Sequence, residues 1–277
     1  MNEGIRKFTP DFYGHTGLAV VLGSGLSVLE GLAQADRGVS YRDVPGLSIP
    51  TVEGHPGRLT LCRIDDVPLV LFAGRSHLYE GLSSLETGAI VSIAADLGCQ
   101  RILFTQAAGS LHRGLPVSAW MLPSDIVSFP SSAFRGMHYS VPSRVGSGSS
   151  PCNCERRLIS SGFRADVRRA ADEADVTVYE GVLCWSPGPV YETPAEAKAA
   201  LELGADAVTM SALPELVTAC RSGLAAACLS LITNHTANVS AGRIDHEYVI
   251  RMGEAGAGTL LRILKALLHP ASRCEGH

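Results

Sequence analysis

No apolar run in this 277-residue sequence approaches the roughly 20 residues that span a bilayer. The opening stretch, Met1 to Lys7, is polar and lacks the apolar core of a secretory signal peptide. There is no excess of positive charge either: a net charge of -4 and a pI near 6.1 give no footprint for nucleic acid or an anionic membrane. Of the eight cysteines, only Cys152 and Cys154 stand close together, and no second pair or neighbouring histidine completes a zinc pattern. Most of the others lie inside apolar runs, where a free thiol acts as a small buried hydrophobe. A reduced, cytoplasmic protein without a metal is the expectation. Two nucleotide-binding signatures are missing as well. After the apolar run Gly17–Leu22 comes Gly23-Ser24-Gly25, but Val28 stands where the dinucleotide fingerprint needs its third glycine, and no Gly-Lys-Ser/Thr follows to make a P-loop.

What is there reads as one α/β chain. Hydrophobic residues make up 46% of it, and the length suits one large α/β domain or two small ones. Gly17–Leu22, Arg101–Thr105, Val176–Cys184, Ala205–Thr209 and Gly223–Ile232 are short apolar runs of strand type. Leu59–Ile64 and Val67–Phe72 flank Asp65-Asp66 and predict a hairpin. Helical patterns follow Leu26, run from Ser83 to about Leu97, and occupy Glu155–Ala174, the Ala-rich stretch after Thr193, a stretch after Glu215, and about Asp245–Leu268. Ser83 with Glu86 and Thr193 with Glu196 form capping boxes, and Pro194 suits a first helical turn. With no composition break and no repeat, the pattern predicts a single three-layer α/β/α sandwich over residues 1–277. Its sheet is expected to be mixed, mostly parallel with an antiparallel portion from the hairpin.

The polar residues concentrate in the loops after the strands, where open α/β sheets place their ligands. Ser24 sits in a glycine turn that offers N–H groups and a hydroxyl to an anion. His55 lies in the turn Glu53–Gly57. Arg75 and His77 alternate in the densest polar cluster, Gly74–Gly81, so both can face one side. A guanidinium fork and an imidazole suit a phosphate or carboxylate. Small residues after Thr105 let a ligand approach the backbone closely. Glu192 is a carboxylate that the Thr193 cap does not use. Residues 130–153, rich in Ser, Gly and Pro, predict a functional or mobile loop.

Eight segments in order, GSGL (23–26), EGHPGRL (53–59), GRSHLYEG (74–81), QAAGSL (106–111), GPVYETPAE (188–196), MSALPE (210–215), ITN (232–234) and DHEYV (245–249), carry a resemblance over about nine-tenths of the chain. The sequence resembles the trimeric, low-molecular-mass purine nucleoside phosphorylases. That resemblance implies phosphorolysis of 6-oxopurine nucleosides such as inosine and guanosine to the free base and ribose 1-phosphate. Inorganic phosphate is then the co-substrate, there is no cofactor, and the assembly is a homotrimer in purine salvage. It implies that Ser24, Arg75, His77, the Ala107 N–H and Ser211 bind phosphate, with His55 covering that side and Glu80 orienting His77. On the base side it implies that Glu192 accepts from N1–H, Asn234 bonds N7 and O6, and Tyr191 packs on the ring. Tyr79 and Met210 would contact ribose, and His246 the 5′-hydroxyl.

The pattern breaks in the middle. The family's Asp-His-Ile-Asn is here Asp125-Ile126-Val127-Ser128, and the segments that follow it are replaced across 130–154. In the family this region supplies subunit contacts and an aromatic that closes a neighbour's ribose site, for which Phe134 and Tyr139 are the candidates. Ser27, Gln106 and His235 are milder departures. Three alternatives stay open: a phosphorylase of a modified purine nucleoside, a hydrolase using water, and a silent purine-binding homologue.

Overall fold

The computed structural model describes residues 17–128, 158–236 and 245–270. The segment 130–154, with Phe134 and Tyr139, lies outside the described residues.

The chain opens with β1 (Leu18–Leu22), whose five residues are all buried. A strand covered on both faces reads as a continuous apolar run rather than an alternating one. Leu18, Val20 and Leu22 join one core cluster while Ala19 and Val21 join another, so the two faces of β1 feed two different layers. The helix expected after Leu26 is short: a 3-10 turn, Leu26–Val28, then the single turn α1 (Leu29–Leu32). Strand β2 (Gln34–Ser40) follows, then the hairpin β3 (Arg58–Ile64) and β4 (Val67–Ala73). Ile64 pairs with Val67, and both Asp65 and Asp66 have positive φ, as a two-residue type I′ turn requires. The Ser83 capping box forms, but the helix divides at Gly88 into α2 (Ser84–Thr87) and α3 (Ala89–Asp96).

Strand β5 (Arg101–Ser110) is ten residues long and runs through the small-residue stretch that the sequence suggested as loop. It is followed by β6 (Trp120–Ser128), α4 (Ser161–Glu173), β7 (Val178–Trp185), α5 (Pro194–Glu202), β8 (Ala207–Thr209), α6 (Leu213–Ser222), β9 (Ala225–His235) and α7 (His246–Leu268). The Thr193–Glu196 box and Pro194 open α5 as expected. Asp245 caps α7 by accepting from the Tyr248 N–H. Asp245→Ala should therefore lower stability by about 1 kcal/mol, read as a shift in denaturant midpoint that Asp245→Ser largely restores.

The nine strands run β2-β3-β4-β1-β5-β8-β7-β6-β9, and β9 also pairs with β5. Five strands, β5, β8, β7, β6 and β9, thus close on themselves. Ala108, Met121, Leu183, Ala207 and Ile232, one from each of those strands, meet in a single cluster that fills the ring. The sheet is mixed as expected. Its antiparallel pairings include β5–β8 and β6–β9 as well as β2–β3 and the hairpin. Helices α4 and α7 pack on one face of the open portion, α3 and α6 on the other.

Cys62, Cys99, Cys184 and Cys228 are free and buried. Cys220 is disulfide-bonded, so the expectation of uniformly reduced thiols does not hold at that position. Among the described residues no helix is long and apolar enough to cross a membrane.

Candidate functional site

The loops after β1, β4, β7 and β8, the C-terminal ends of β5 and β9, and the start of α7 converge on a cavity of about 300 Å³. Ser24, His77, Tyr79, Ala107, Tyr191, Glu192, Met210, Ser211, Asn234 and His246 line it together. Residues more than 200 positions apart in sequence share this one wall. Arg75 and His55 are not part of the lining; the fold sets them behind it.

At one end the Ser24 loop is seated directly on α7. A Cβ added to Gly253 would come within 2.1 Å of the Ser24 carbonyl oxygen, so that helix position must be glycine for the loop to sit there. His55 fixes the role of the Ser24 hydroxyl. The Arg75 backbone N–H donates to His55 Nδ1 at 3.2 Å, which places the ring proton on Nε2. Nε2 then donates to Ser24 Oγ at 3.1 Å, leaving the hydroxyl hydrogen free for an anion. Burial, followed by the charges of His77, Arg75 and His246, holds His55 well below the usual imidazole range, so it stays neutral.

Next to it runs a chain from Glu80 through His77 to Ser211. His77 Nδ1 lies 3.2 Å from Glu80 Oε1, and Nε2 lies 3.2 Å from Ser211 Oγ. Glu80 also accepts from the His77 N–H and from the Thr51 N–H and hydroxyl. Burial alone would raise this carboxyl, but those hydrogen bonds outweigh it and hold it at about 2. An acceptor that stays ionised keeps the Nδ1 proton of His77 on its side and leaves Nε2 to face Ser211. The Tyr79 ring stacks on His77 with centroids 4.8 Å apart, and burial pushes its phenol up to about 12.

Arg75 is 1% exposed. Its Nη2 donates to the carbonyls of Thr105 (2.8 Å) and Val21 (3.3 Å), and its Nε lies 3.8 Å from the Glu215 carboxylate. Nε and Nη1 find no hydrogen-bond acceptor among the described residues. The alternation of Arg75 and His77 thus puts the imidazole in the cavity wall and the guanidinium in the core beside it.

At the other end stand Glu192 and Asn234. Burial raises the Glu192 carboxyl above the usual range; its own backbone N–H opposes this and the nearby Glu196 charge adds to it. Asn234 lies opposite Gly109 of β5, where an added Cβ would stand 3.0 Å from its Nδ2. Tyr191 is half-exposed at the rim. Between the two ends, Gly188 has φ +70°, and a Cβ there would come within 2.6 Å of Met210 Sδ and 2.8 Å of Tyr79 Cδ1. Only glycine lets that loop close over both side chains. His246 Nε2 donates to the Glu53 carbonyl at 2.7 Å, so its Nδ1 is left as an acceptor.

Sequence reasoning passed over Thr209 and Thr233. Thr209 Oγ1 accepts from the Ser211 N–H and donates to the Ala107 carbonyl, tying β8 to β5 beneath the anion end. Thr233 donates to Asn234 Oδ1 at 2.9 Å. Both are β-branched residues near a strand end and read as strand; only their places beside Met210-Ser211 and Asn234 could have marked them.

The arrangement offers hydroxyls and an imidazole to an anion at one end, and a carboxylate with an amide to a flat polar heterocycle at the other. Purine nucleoside phosphorylase 1 of Geobacillus stearothermophilus is 29% identical over 259 residues, covering 91% of this chain and 90% of that protein. The Mus musculus purine nucleoside phosphorylase is 32% identical over 259 residues, covering 91% and 88%. Isoform 2 of the Schistosoma mansoni purine nucleoside phosphorylase, solved with cytosine and ribose-1-phosphate, superposes with a TM-score of 0.82 at 27% identity, covering 98% of this chain and 95% of that one. The model of the phosphorylase superfamily matches residues 18–269, from the first residue of β1 to the end of α7, and the chain belongs to that superfamily.

Proposed function

We propose that the chain is a single catalytic domain that cleaves 6-oxopurine nucleosides by phosphorolysis, giving free purine and ribose 1-phosphate. The observation that carries this reading is the Glu80–His77–Ser211 chain facing Glu192 and Asn234 across one cavity. Phosphate held by Ser24, His77, Ser211 and the Ala107 N–H would stand next to the sugar. One of its oxygens forms a bond to C1′ while the C1′–N9 bond breaks, and the bond's electron pair leaves with the purine. The sugar passes through an oxocarbenium-like state whose positive charge the bound phosphate offsets. Glu192 accepts N1–H, and Asn234 bonds O6 and N7, so the negative charge developing on the departing purine is spread over these contacts. Arg75 and His55 act from behind the wall, Arg75 by its charge and His55 through Ser24. Tyr79, Met210 and His246 hold the ribose, His246 Nδ1 taking the 5′-hydroxyl, and Tyr191 covers the base.

Inorganic phosphate is the co-substrate in this reading and no cofactor takes part. The protein is proposed to be a cytoplasmic homotrimer of purine salvage, without nucleic-acid or membrane partners. The replaced sequence across 130–154 favours one variation, a purine nucleoside modified on its sugar, because the phosphate and base residues persist while that segment is rewritten.

The test is hypoxanthine release from inosine with and without phosphate. Release that requires phosphate and yields ribose 1-phosphate supports the proposal. Equal release in phosphate-free buffer would assign hydrolysis instead. No release from inosine, with turnover of a 5′- or 2′-modified analogue, would select the modified substrate.

A further inference from the structure

Thr209 is the last residue of β8 and lines the cavity with Ala107 and Ser211, yet it is only 4% exposed. Its main chain is held by β7: it pairs with Trp185, and its carbonyl accepts from the Ser186 N–H at 3.0 Å. Being β-branched, it has little freedom at χ1. A hydroxyl has one hydrogen to give and lone pairs to receive with. The Ala107 carbonyl, 3.2 Å away, can only accept, so the hydrogen points there. The Ser211 N–H, also at 3.2 Å, can only donate, so it meets a lone pair. These two contacts do not compete, and together they fix the direction in which the hydroxyl is polarised. Thr209 therefore keeps no hydrogen for an anion, although it stands in the wall.

Both partners are set by the chain around them. The Leu111 N–H donates to the Asp206 carbonyl at 2.9 Å, and Gly109 pairs with Val208. By the two-residue period of a strand, Ala107 also turns its main-chain groups toward β8. On the other side the chain turns tightly. A threonine oxygen accepting from the N–H two residues on closes an ST-turn. Just beyond it Ala212 has φ +76°, a left-handed conformation that is costly for any residue but glycine and persists only where its surroundings hold it. Ser211 is thus held at two points, by Thr209 at its N–H and by His77 Nε2, 3.2 Å from its Oγ. The turn uses up the N–H, so any part Ser211 plays at the anion end falls to its side chain.

We infer that Thr209 is a positioning residue for the phosphate end: with its hydrogen committed to Ala107, its hydroxyl oxygen anchors the Ser211 N–H and so sets the Ser211 side chain against His77. This rests on the reading of Ser211 as a phosphate-binding residue, and the test separates the two. Binding of inorganic phosphate and of hypoxanthine to the full-length protein is measured by calorimetry for wild type, Thr209→Val, Thr209→Ala and Thr209→Ser, each checked by thermal melting. Base release from inosine is followed beside it over a range of phosphate concentrations. Thr209→Val, nearly the same shape, and Thr209→Ala should each weaken phosphate about tenfold while hypoxanthine changes by less than about twofold. The KM for phosphate should rise in step, and Thr209→Ser should restore both. In a Ser211→Ala background, Thr209→Val should weaken phosphate by no more than about a further twofold, because a residue acting through Ser211 has nothing left to act on. A full further loss there would make Thr209 a ligand in its own right and overturn the inference. Equal weakening of phosphate and hypoxanthine, or unchanged phosphate affinity in Thr209→Val, overturns it as well. If Ser211→Ala alone leaves phosphate affinity unchanged, Ser211 leaves the anion end and the role of Thr209 goes with it. Phosphate binding that weakens in Thr209→Val, beside a wild type that releases no base from inosine, keeps the role and overturns the phosphorolysis reading.

Discussion

Replacing Glu192 with alanine should lower kcat/KM for inosine by about a hundredfold. A hydrogen bond to an ionised group contributes about 1.5–3 kcal/mol, and removing the acceptor leaves a desolvated N1–H without a partner. Thr193 and Glu196 form their cap without Glu192, so α5 should stay folded and the loss should be one of activity. The pH profile adds a second signature. In the proposed reaction Glu192 serves as an acceptor in its ionised form, and burial raises its carboxyl above the ordinary value of 4.5. The acid limb of kcat/KM should therefore lie above pH 4.5, and Glu192→Gln, which keeps an acceptor without a charge, should flatten it. Stability should move the other way. A carboxylate whose folded pKa is raised is less favourable in the folded protein once ionised. It thus detracts from stability above its folded pKa, and that burden disappears below 4.5. Glu192→Gln should accordingly raise the melting temperature of the unliganded protein at pH 7, with the gain shrinking as the pH falls through that window. A profile unchanged by Glu192→Gln would remove Glu192 from base binding.

The second large effect is expected at Arg75. With 1% exposure on the arginine and 2% on Glu215, the pair is a buried one. Removing one member of such a pair leaves an uncompensated charge in the core and costs about 3–5 kcal/mol. Arg75→Ala should therefore melt on the order of 10 °C below wild type, at about 2–4 °C per kcal/mol. The Val21 and Thr105 carbonyls lose their donor in the same change. The double variant Arg75→Met with Glu215→Gln should recover most of the melting temperature, since it removes both charges and keeps the volume. Its KM for phosphate should remain raised, because the charge behind the anion end is gone. A single variant that melts like wild type would show that the pair contributes nothing to folding.

Much of this was readable from local chemistry. The Asp65-Asp66 hairpin and the Ser83 and Thr193 boxes are short-range devices, and each formed where its residues stood. The resemblance gathered the polar loop residues, and the fold brings nearly all of them to one cavity. Three things were hidden. Strand β2 is exposed along most of its length, so no apolar alternation marks it. Strand β6 carries Pro123 in its interior, a residue that argues against a strand, and accommodates it with a register shift between Pro123 and Asp125. The closing of five strands into a ring rests on the β5–β8 and β6–β9 pairings, which are long-range and leave no periodic trace. The placement of Arg75 belongs with these: extended alternation put it beside His77, but the carboxylate that draws its guanidinium into the core stands on a helix 140 residues away.

Strand β5 belongs both to the open sheet, through β1, and to the closed ring, through β8 and β9. Ala107 stands in its wall near the anion end and Gly109 faces the Asn234 amide. Two residues of extended chain measure about 7 Å, and no loop has a say in that span. In the proposed reaction the strand is thus a gauge block between the two reactants. Changes at the rim leave that span as it is, but inserting or deleting one residue in β5 would turn every later side chain to the opposite face. In the proposed reaction that span sets the distance between phosphate and base, and changes in the loops do not alter it.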